Sequence, residues 1–430
     1  MASTSFNSGD VIIKYLYLSS LDGDKVVDLR EQVQDMDIYE SILSPVITGS
    51  MSIVDKITLR ENFPIIGGKC KVKIQFVTPS PGIQPRTIEF VVTEINNVVS
   101  DPHGTGNRYT LTLASIEILE NAKSNFRAPL IGKTIDDYVE MILKTHLNTK
   151  KNLNKDPYGT KGEQRMDVVY MKPFQAIDML KQKAVSKLYK SNVYVFFENK
   201  IGFNFVPIEY LLSIEWKLIK DAVFFYDSDV KTDVRNTTFR NILAYNHIVQ
   251  ESPAKLVHEG ALKNKTTQTD LRSRTKQTVE YDYAKASNEL QYSKGSRPIH
   301  KAAFEQEYGK LPATTFNVIK NSVVPESYIH EKLGYAQAFV SMLTQNILRL
   351  MVWGDSYISA GYRIRVEAPK TSGLTKEGGK TSAEKSDFAS GEFLISHLRH
   401  NLSKVNTGYR HLMSMELVNV AYSRSGAFES

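Results

Sequence analysis

Apolar and polar residues alternate along residues 26–55, which read VVDLREQVQDMDIYESILSPVITGSMSIVD. Alternation places every second side chain on one face of a sheet, so this stretch predicts successive half-buried β-strands. The apolar positions change parity between Val33 and Met36 and again before Ile47. Each change predicts a bulge or a tight bend in the chain. A sheet interrupted in this way is expected to curl into a small barrel.

The segments around this stretch show the same one-sided pattern. Residues 70–77 place Val72, Ile74 and Phe76 on one face and polar side chains on the other. Further strands with this alternation are predicted at residues 11–18, 86–99 and 109–113. About seven strands divided by turn residues are typical of an antiparallel barrel or sandwich. This first unit is expected to end near residue 128.

A second strand-rich region lies near the other end of the chain. Residues 391–420 read GEFLISHLRHNLSKVNTGYRHLMSMELVNV, two alternating runs separated by residues 404–408, where Asn and Gly favour a turn. The pattern predicts one long hairpin. Strands are also predicted within residues 223–251, 348–353 and 361–366. Together these segments are expected to form a second, discontinuous barrel.

The region between the barrels has helical periodicity. Thr134 and Asp137 have the spacing of a capping box, and apolar residues follow at helical spacing. Pro173 is expected in the first turn of a second helix, whose apolar face comprises Phe174, Ile177, Leu180 and Ala184. A polar loop is predicted at residues 149–165, and a hairpin at residues 192–205 that turns at residues 198–200.

The remaining segments are more polar. Residues 256–288 predict loops between short strands, such as residues 278–283. Pro325 is expected to begin the longest helix, which ends near Asn346. Its predicted apolar face comprises Ile329, Leu333, Ala336, Val340 and Leu343. Residues 369–387 are rich in Lys, Gly, Ser and Thr and are expected to form a long mobile loop.

Composition narrows the function classes. Hydrophobic residues make up 41% and charged residues 23% of the chain, as in ordinary globular proteins. The net charge of +7 comes from 54 basic and 47 acidic residues without a run of five like charges, which argues against a dedicated nucleic-acid-binding protein. The single cysteine, Cys70, cannot form an intrachain disulfide. We find no signal-peptide pattern and no apolar run of the ~20 residues that span a bilayer, so a soluble protein made in a cytoplasm is expected.

Candidate catalytic and metal motifs fail on spacing. Residues 67–69 and 104–106 lack the remaining glycines and the hydroxyl of a phosphate-binding loop, so both are predicted to be turns. His397 and His411 approach each other in the predicted hairpin, with His400 nearby, but no Asp or Cys completes a metal-ligand set. These histidines are therefore expected on a barrel surface.

The sequence gives equally little indication of acid–base catalysis. Glu305 and Glu307 lie in a polar stretch, and glycoside cleavage requires two carboxyls that converge on a cleft, which sequence spacing does not show. No catalytic, cofactor-binding or metal-binding residue is predicted, and no cofactor is expected. The 22 tyrosines fit either packing in several β-rich units or extensive protein contacts, and the sequence leaves both open.

Three segments carry a family resemblance. Residues 28–55, DLREQVQDMDIYESILSPVITGSMSIVD, are followed by FPIIGGKCKVKIQF and YTLTLASIEILENAK, and this order resembles the opening of the central baseplate hub protein of contractile-tailed bacteriophages. The stretch ILRLMVWGDSYISAGYRIRVEAP and the C-terminal hairpin are also similar to that family in order and spacing. The hub part of bacterial contractile injection systems shares this architecture.

The resemblance implies a homotrimer in which two barrels per chain form a pseudo-six-fold ring, since three chains then offer six similar wedges. It implies a structural, non-enzymatic hub in the virion that joins the central spike to the tail tube, with other baseplate proteins as further partners. DNA passes only through the channel, and no membrane insertion is expected. The alternatives are a tail-tip enzyme that degrades the cell wall and the hub of a bacterial injection system.

The expected fold is therefore α+β and mainly β, with two similar antiparallel tube-type barrels and α+β insertions between them. The expected units are a first barrel at 1–128, an α+β insert at 129–215, a second barrel at 216–255 and 346–422, a polar insert with the long helix at 256–345, and a tail at 423–430.

Overall fold

The computed structural model describes residues 8–23, 25–63, 65, 67–79, 84–100, 106–213, 218–225, 240–249, 253–282, 297–298, 314–320, 328–377, 380–386, 389–406 and 408–422. The strands are β1 Asp10–Ser20, β2 Val26–Asp28, β3 Val33–Ser41, β4 Thr48–Asp55, β5 Cys70–Val77, β6 Arg86–Ser100, β7 Asn107–Ser115, β8 Phe126–Lys133, β9 Leu153–Lys155, β10 Gln164–Met171, β11 Tyr194–Asn199, β12 Gly202–Pro207, β13 Leu218–Phe225, β14 Ile242–Val249, β15 Lys263–Asp270, β16 Lys276–Asp282, β17 Arg297–Pro298, β18 Thr314–Lys320, β19 Asn346–Trp353, β20 Arg363–Glu367, β21 Pro369–Glu377, β22 Lys380–Lys385, β23 Gly391–Val405, β24 Gly408–Val418 and β25 Ala421–Tyr422. The helices are α1 Leu59–Asn62, α2 Glu117–Lys123, α3 Ile135–Thr145, α4 Pro173–Lys183, α5 Ile208–Leu212, α6 Pro253–His258 and α7 Ile329–Leu343. The chain is mainly β, as expected.

Both changes in the parity of the apolar positions correspond to irregularities in the strands. The register of β3 against β4 shifts between Val33 and Asp35, where the first bulge is predicted. The second change coincides with the turn that separates β3 from β4. Both irregularities bend the sheet and allow it to close.

Eight strands form a closed circuit of pairings in the order β23, β3, β4, β7, β6, β5, β1 and β24, with β24 pairing back to β23. We call this set the first circuit. Within the first circuit, the edge strands β3 and β1 are joined through the C-terminal hairpin. The long strands of that hairpin reach across both edges, whereas β1 and β3 are not neighbours.

Six strands form the second circuit, in the order β13, β20, β23, β24, β19 and β14. A single bridge between Phe225 and Asn241 links β13 to the start of β14. The hairpin of β23 and β24 is thus shared by both circuits, which explains why its strands are 15 and 11 residues long. Apolar residues from alternate strand positions fill each circuit.

The α+β insert contains a small sheet of β11, β12 and β9. Every residue of β11 and β12 is buried, because α3 and α4 cover one face while α5 and α7 lie with the other. The predicted hairpin is present, with its turn between Asn199 and Gly202. The predicted polar loop at 149–165 instead contains β9 and the start of β10. β9 pairs in parallel with β12, a long-range contact that local polarity does not reveal.

Strand β8 crosses the expected boundary at residue 128. It pairs with β10, so its hydrogen bonds group it with the insert rather than with the first circuit. Helix α3 begins after Thr134 as predicted, but the predicted capping box is wrong. The Thr134 hydroxyl donates to Asp137 at 2.7 Å, while the Thr160 hydroxyl accepts from the backbone N–H of Ile135 at 3.1 Å. A distant loop therefore satisfies the helix terminus that the sequence assigns to a local residue.

Helix α7 confirms the long helix and only part of its predicted face, since Leu343 is the buried member of that face. The buried residues on it include Ala338, Phe339 and Met342, whereas Val340 is 42% exposed. The helix is apolar on more than one side, so the side that packs is chosen by β15 and β16 rather than by periodicity. Pro325, expected to begin the helix, lies outside the described residues.

The predicted mobile loop at 369–387 is wrong where the structure describes it, because β21 and β22 form an antiparallel ribbon. A ribbon needs only backbone hydrogen bonds, so a composition that cannot fill a core does not exclude it. Among the described helices, none has the length and apolarity required to cross a membrane.

Candidate functional site at the shared hairpin

The inward face of the shared hairpin changes from apolar to polar at its middle. Leu402 belongs to the core of the first circuit, and Leu398 and Met413 belong to the core of the second. Between them, His400 and His411 point inward and are completely buried. A polar layer therefore separates two apolar cores along one continuous pair of strands.

Arg86, the first residue of β6, is the centre of this layer and is 2% exposed. One guanidinium nitrogen donates to the Ile358 carbonyl at 3.1 Å and lies 3.0 Å from His400 Nε2. The other donates to the carboxylate of Glu40, an inward residue of β3. That carboxylate also accepts from the Ser359 hydroxyl and from the backbone N–H of Ala360. This charge pair thus has hydrogen bonds beyond its own contact, as stable buried ion pairs do, while Arg86 Nε has no partner among the described residues.

The histidine pair extends the layer into the second circuit. His400 Nδ1 lies 2.9 Å from His411 Nε2. A guanidinium only donates, so the contact with Arg86 places the His400 proton on Nδ1, and the His411 proton is then on Nδ1. His411 Nδ1 has no hydrogen-bond partner among the described residues. Gly354 lies against this ring, and a Cβ added there would come within 1.9 Å of His411 Cγ. Only glycine fits at this position.

The environment fixes the charge states of the layer. Burial alone would raise the pKa of Glu40, yet Arg86, His400 and Ser359 hold that pKa at about 2. Burial lowers the pKa of His400 and places the pKa of His411 well below its usual range, and the charge of Arg86 acts in the same direction. At neutral pH the layer therefore contains one ion pair and two neutral histidines.

Residues 354–361, the loop that follows β19, seal the layer and join it to its neighbours. The Ser356 hydroxyl accepts from the backbone N–H of Thr78, after β5, at 3.2 Å. On the other side, the Asn199 side chain donates to the Ala360 carbonyl at 3.1 Å. Gly361 has φ +80°, and a Cβ there would lie 2.6 Å from the Phe197 ring. The loop thus connects the first circuit, the second circuit and the insert at one point.

A second buried charge group fixes the insert to the first circuit. Lys151 donates to Glu117 at 2.7 Å and to Glu198 at 2.6 Å. Glu198, on β11, also accepts from the backbone N–H of Ile47, next to β4. Burial raises the pKa of Glu198, and Lys151 opposes this shift. The insert is therefore held by directed contacts as well as by apolar packing.

The outer face of the same hairpin carries an ordered polar network and a groove. Arg399 makes a bidentate contact with Asp37, with both distances 2.8 Å, and Asn401 donates to Asp37 at 2.9 Å. Beside this network, an open groove of about 460 Å³ crosses β3, β23, β24, β19 and β14. Its lining is mostly apolar and includes Tyr39 and Met351.

The other candidate site residues considered from the sequence can also be located in the structure. Gly67 and Gly68 lie in a tight turn where a Cβ on Gly67 would meet the Thr93 carbonyl oxygen at 2.3 Å, so the predicted turn is confirmed. Glu305, Glu307 and most of the 104–106 segment lie outside the described residues. The Cys70 side chain is buried in the core of the first circuit. Within the described part of the chain, no group of three His, Cys, Asp or Glu side chains is placed to hold a metal ion.

The expectation of surface histidines is wrong for two of the three. His397 is on the outer face, 3.3 Å from Glu416, but His400 and His411 are the pair that meet. The register shift between Ile395 and His397 decides this, since it changes which side of the strand faces inward. Glu40 and Arg86 were not predicted at all. The signal was available for Glu40, because it follows Met36 and Ile38 at inward positions of β3.

No family model matches the chain, and no curated protein matches its sequence. Solved structures do match over nearly its whole length. A tail protein from Neisseria meningitidis MC58 has 11% identity and a TM-score of 0.55, with 95% of this chain and 96% of that chain covered. The 43 kDa tail protein of prophage MuSo2 from Shewanella oneidensis has 12% identity and a TM-score of 0.52, with 94% and 98% covered.

A third likeness is weaker. The E. coli c3393 protein, a component of the type VI secretion system with structural similarity to the T4 bacteriophage tail proteins gp27 and gp5, has 12% identity and a TM-score of 0.46. The match covers 96% of this chain and 79% of the c3393 chain. The first two likenesses are sufficient for the fold: from the first circuit through the insert to the shared hairpin, this chain has the fold of these two tail proteins.

Proposed function

We propose that this chain is the structural hub of a phage tail baseplate, a homotrimeric ring that joins the central spike to the tail tube and surrounds the DNA channel. The observation that carries the proposal is the likeness to two tail proteins over at least 94% of the chain, with at least 96% of each tail protein matched. A match of this extent concerns the whole architecture rather than one common module.

The construction of the junction supports this role. Two strand circuits in one chain give three copies six wedge units, which suits a ring between three-fold and six-fold partners. The shared hairpin and the buried layer around Arg86 fix the angle between the circuits. A hub that transmits force between spike and tube benefits from such a rigid joint. The chain divisions at residues 128, 215, 255 and 345, and the superposition of the two circuits, are part of this proposal.

The proposed partners are a second and third copy of the chain, the central spike protein, the tube or tube-initiator protein and other baseplate proteins. The proposed location is the virion tail. A hub of a bacterial contractile injection system would have the same role in a different particle. Purification of the particle that contains this chain distinguishes the two alternatives. A tail-tip enzyme is the contrasting function, although no described feature favours it.

Mass measurement tests the proposal. Light scattering of the purified chain, alone and with the spike protein of the same genome, is expected to give three times the 48.6 kDa of one chain. Electron microscopy of that species should show a ring with an open centre. A chain that remains monomeric with excess spike protein would contradict the proposal. Peptidoglycan turnover comparable to a lysozyme control would instead establish the enzyme.

A further inference from the structure

The groove on the outer face of the shared hairpin has the chemistry of a protein contact. It crosses five strands, and its outward side chains include Tyr39, Met351 and Arg399. Tyr39 is 41% and Met351 is 42% exposed, although both lie on regular strands of a large sheet. Exposed apolar side chains that adjoin a groove are the kind of surface that a partner protein covers.

The charges around the groove are already neutralised within the chain. Arg349 lies 2.9 Å from Glu416, and Arg399 forms its two hydrogen bonds with Asp37. His397 also lies 3.3 Å from Glu416. A partner that covers this rim leaves no charge unpaired there, so the groove fits an uncharged, apolar or aromatic surface.

The same chain presents such a surface elsewhere. Tyr15 and Tyr17 point outward from β1 and stack in parallel, with ring centroids 5.5 Å apart and planes 3° apart. Tyr17 is 37% exposed. Its neighbour across the strands, Lys73, is paired with Glu89 at 2.8 Å. Two rings that are already ordered lose little conformational entropy on binding, which makes them effective interface anchors.

The stacked tyrosines and the groove do not meet within one chain. β1 leaves the hairpin at Asp10 and Val11 and runs toward the hairpin turn, whereas the groove lies in the direction of the second circuit. We infer that the Tyr15–Tyr17 pair of one copy packs into this groove on the next copy. The contact joins two different surfaces, and such a contact generates a closed ring when its rotation is one third of a turn.

This inference rests on the proposed trimer, and disulfide trapping separates the two. Tyr17→Cys and Met351→Cys are both exposed positions, and Cys70 is buried and gives no background. Under oxidation, each single variant alone should remain uncrosslinked. A mixture of the two should give a covalent dimer, and the double variant a covalent trimer. Tyr170→Cys is the matched control, since Tyr170 is 74% exposed on β10, and it should not crosslink with Met351→Cys.

Affinity gives the second readout. Met351→Asp places a charge in the proposed contact and is expected to raise the concentration at which the trimer dissociates by ~30-fold, as for a hot-spot residue. The thermal midpoint of the dissociated chain should be unchanged, because the side chain is exposed. If the wild-type chain trimerises but the mixture gives no dimer and Met351→Asp leaves the trimer intact, the inference is overturned while the hub proposal stands. If the wild-type chain never trimerises with its spike partner, the hub proposal itself fails.

Discussion

At the scale of single residues, the polar layer shows how a buried charge is retained. Glu40 and Arg86 are each almost fully buried, and an isolated buried charge would cost several kcal/mol. The two side chains pair with each other. Arg86 also contacts His400 on β23, and Glu40 accepts from the 354–361 loop. We interpret the layer as a set of directed contacts that adds to the strand pairing in fixing the relative position of the two cores.

The histidine pair predicts a defined loss of stability in acid. The pKa of His400 and His411 lies below 6.5 in the folded chain, so below about pH 6.5 the unfolded chain binds more protons. The free energy of unfolding should be constant above that pH and fall by up to ~1.4 kcal/mol per pH unit for each histidine below it. Denaturant unfolding between pH 8 and pH 5 measures this slope.

A His400→Gln and His411→Gln double variant should flatten that slope, because it removes both buried imidazoles. NMR titration of the wild-type imidazoles gives an independent check if the double variant does not fold. A titration midpoint at or above pH 6.5 for either buried ring in the folded chain would contradict the prediction. The pKa of Glu40 at about 2 places its own contribution in a separate window, lost as the pH falls from about 4.5 to 2.

At the scale of elements, the shared hairpin is the part on which the rest depends. It pairs with β3 and β1 in the first circuit and with β20 and β19 in the second. Its residues alternate between the cores and the outer face, so adjacent positions should respond very differently to substitution.

Met413→Asp tests this alternation against Ser414→Asp. Met413 is fully buried beside the polar layer, whose cation Arg86 is already paired with Glu40, so we expect a carboxylate there to cost roughly 3–5 kcal/mol or to prevent folding. Ser414 lies on the outer face, where a change of about 0.5 kcal/mol is typical. Thermal unfolding of both variants measures the difference. Equal effects would show that the inward face is assigned incorrectly.

The ribbon of β21 and β22 predicts the first site of proteolysis. In the described residues it pairs with no other strand, and a lone two-stranded ribbon is marginally stable. Limited trypsin digestion should cut within residues 369–385 first. β20 and β23 should remain associated through their own pairing, so the cut chain should elute as one species. Protection of this ribbon in the isolated chain would mean that it packs against another part of the molecule.

At the scale of the whole molecule, two cores that share a hairpin should unfold together. Leu402 lies in the first core and Leu398 in the second, four residues apart on one strand. Each changed to Ala is expected to cost ~2–5 kcal/mol and to shift a single thermal transition. Leu271→Ala, 61% exposed, is the control and should leave that transition in place. Two separate transitions in calorimetry would instead show that the circuits are independent domains.

The sequence by itself determined most strands, the bulge after Val33 and the inward residues of the first circuit, because a period of two is a local property of the chain. It also determined the order of elements on which the likeness to tail proteins depends. Only the tertiary structure decided how the circuits close, which face of α7 packs and what caps α3, since each depends on residues far away in sequence. Arg86, Glu40 and the two histidines come together for the same reason. They lie on four strands, 46 to 325 residues apart along the chain from Arg86, and only the closed pairing of those strands brings their side chains into one layer.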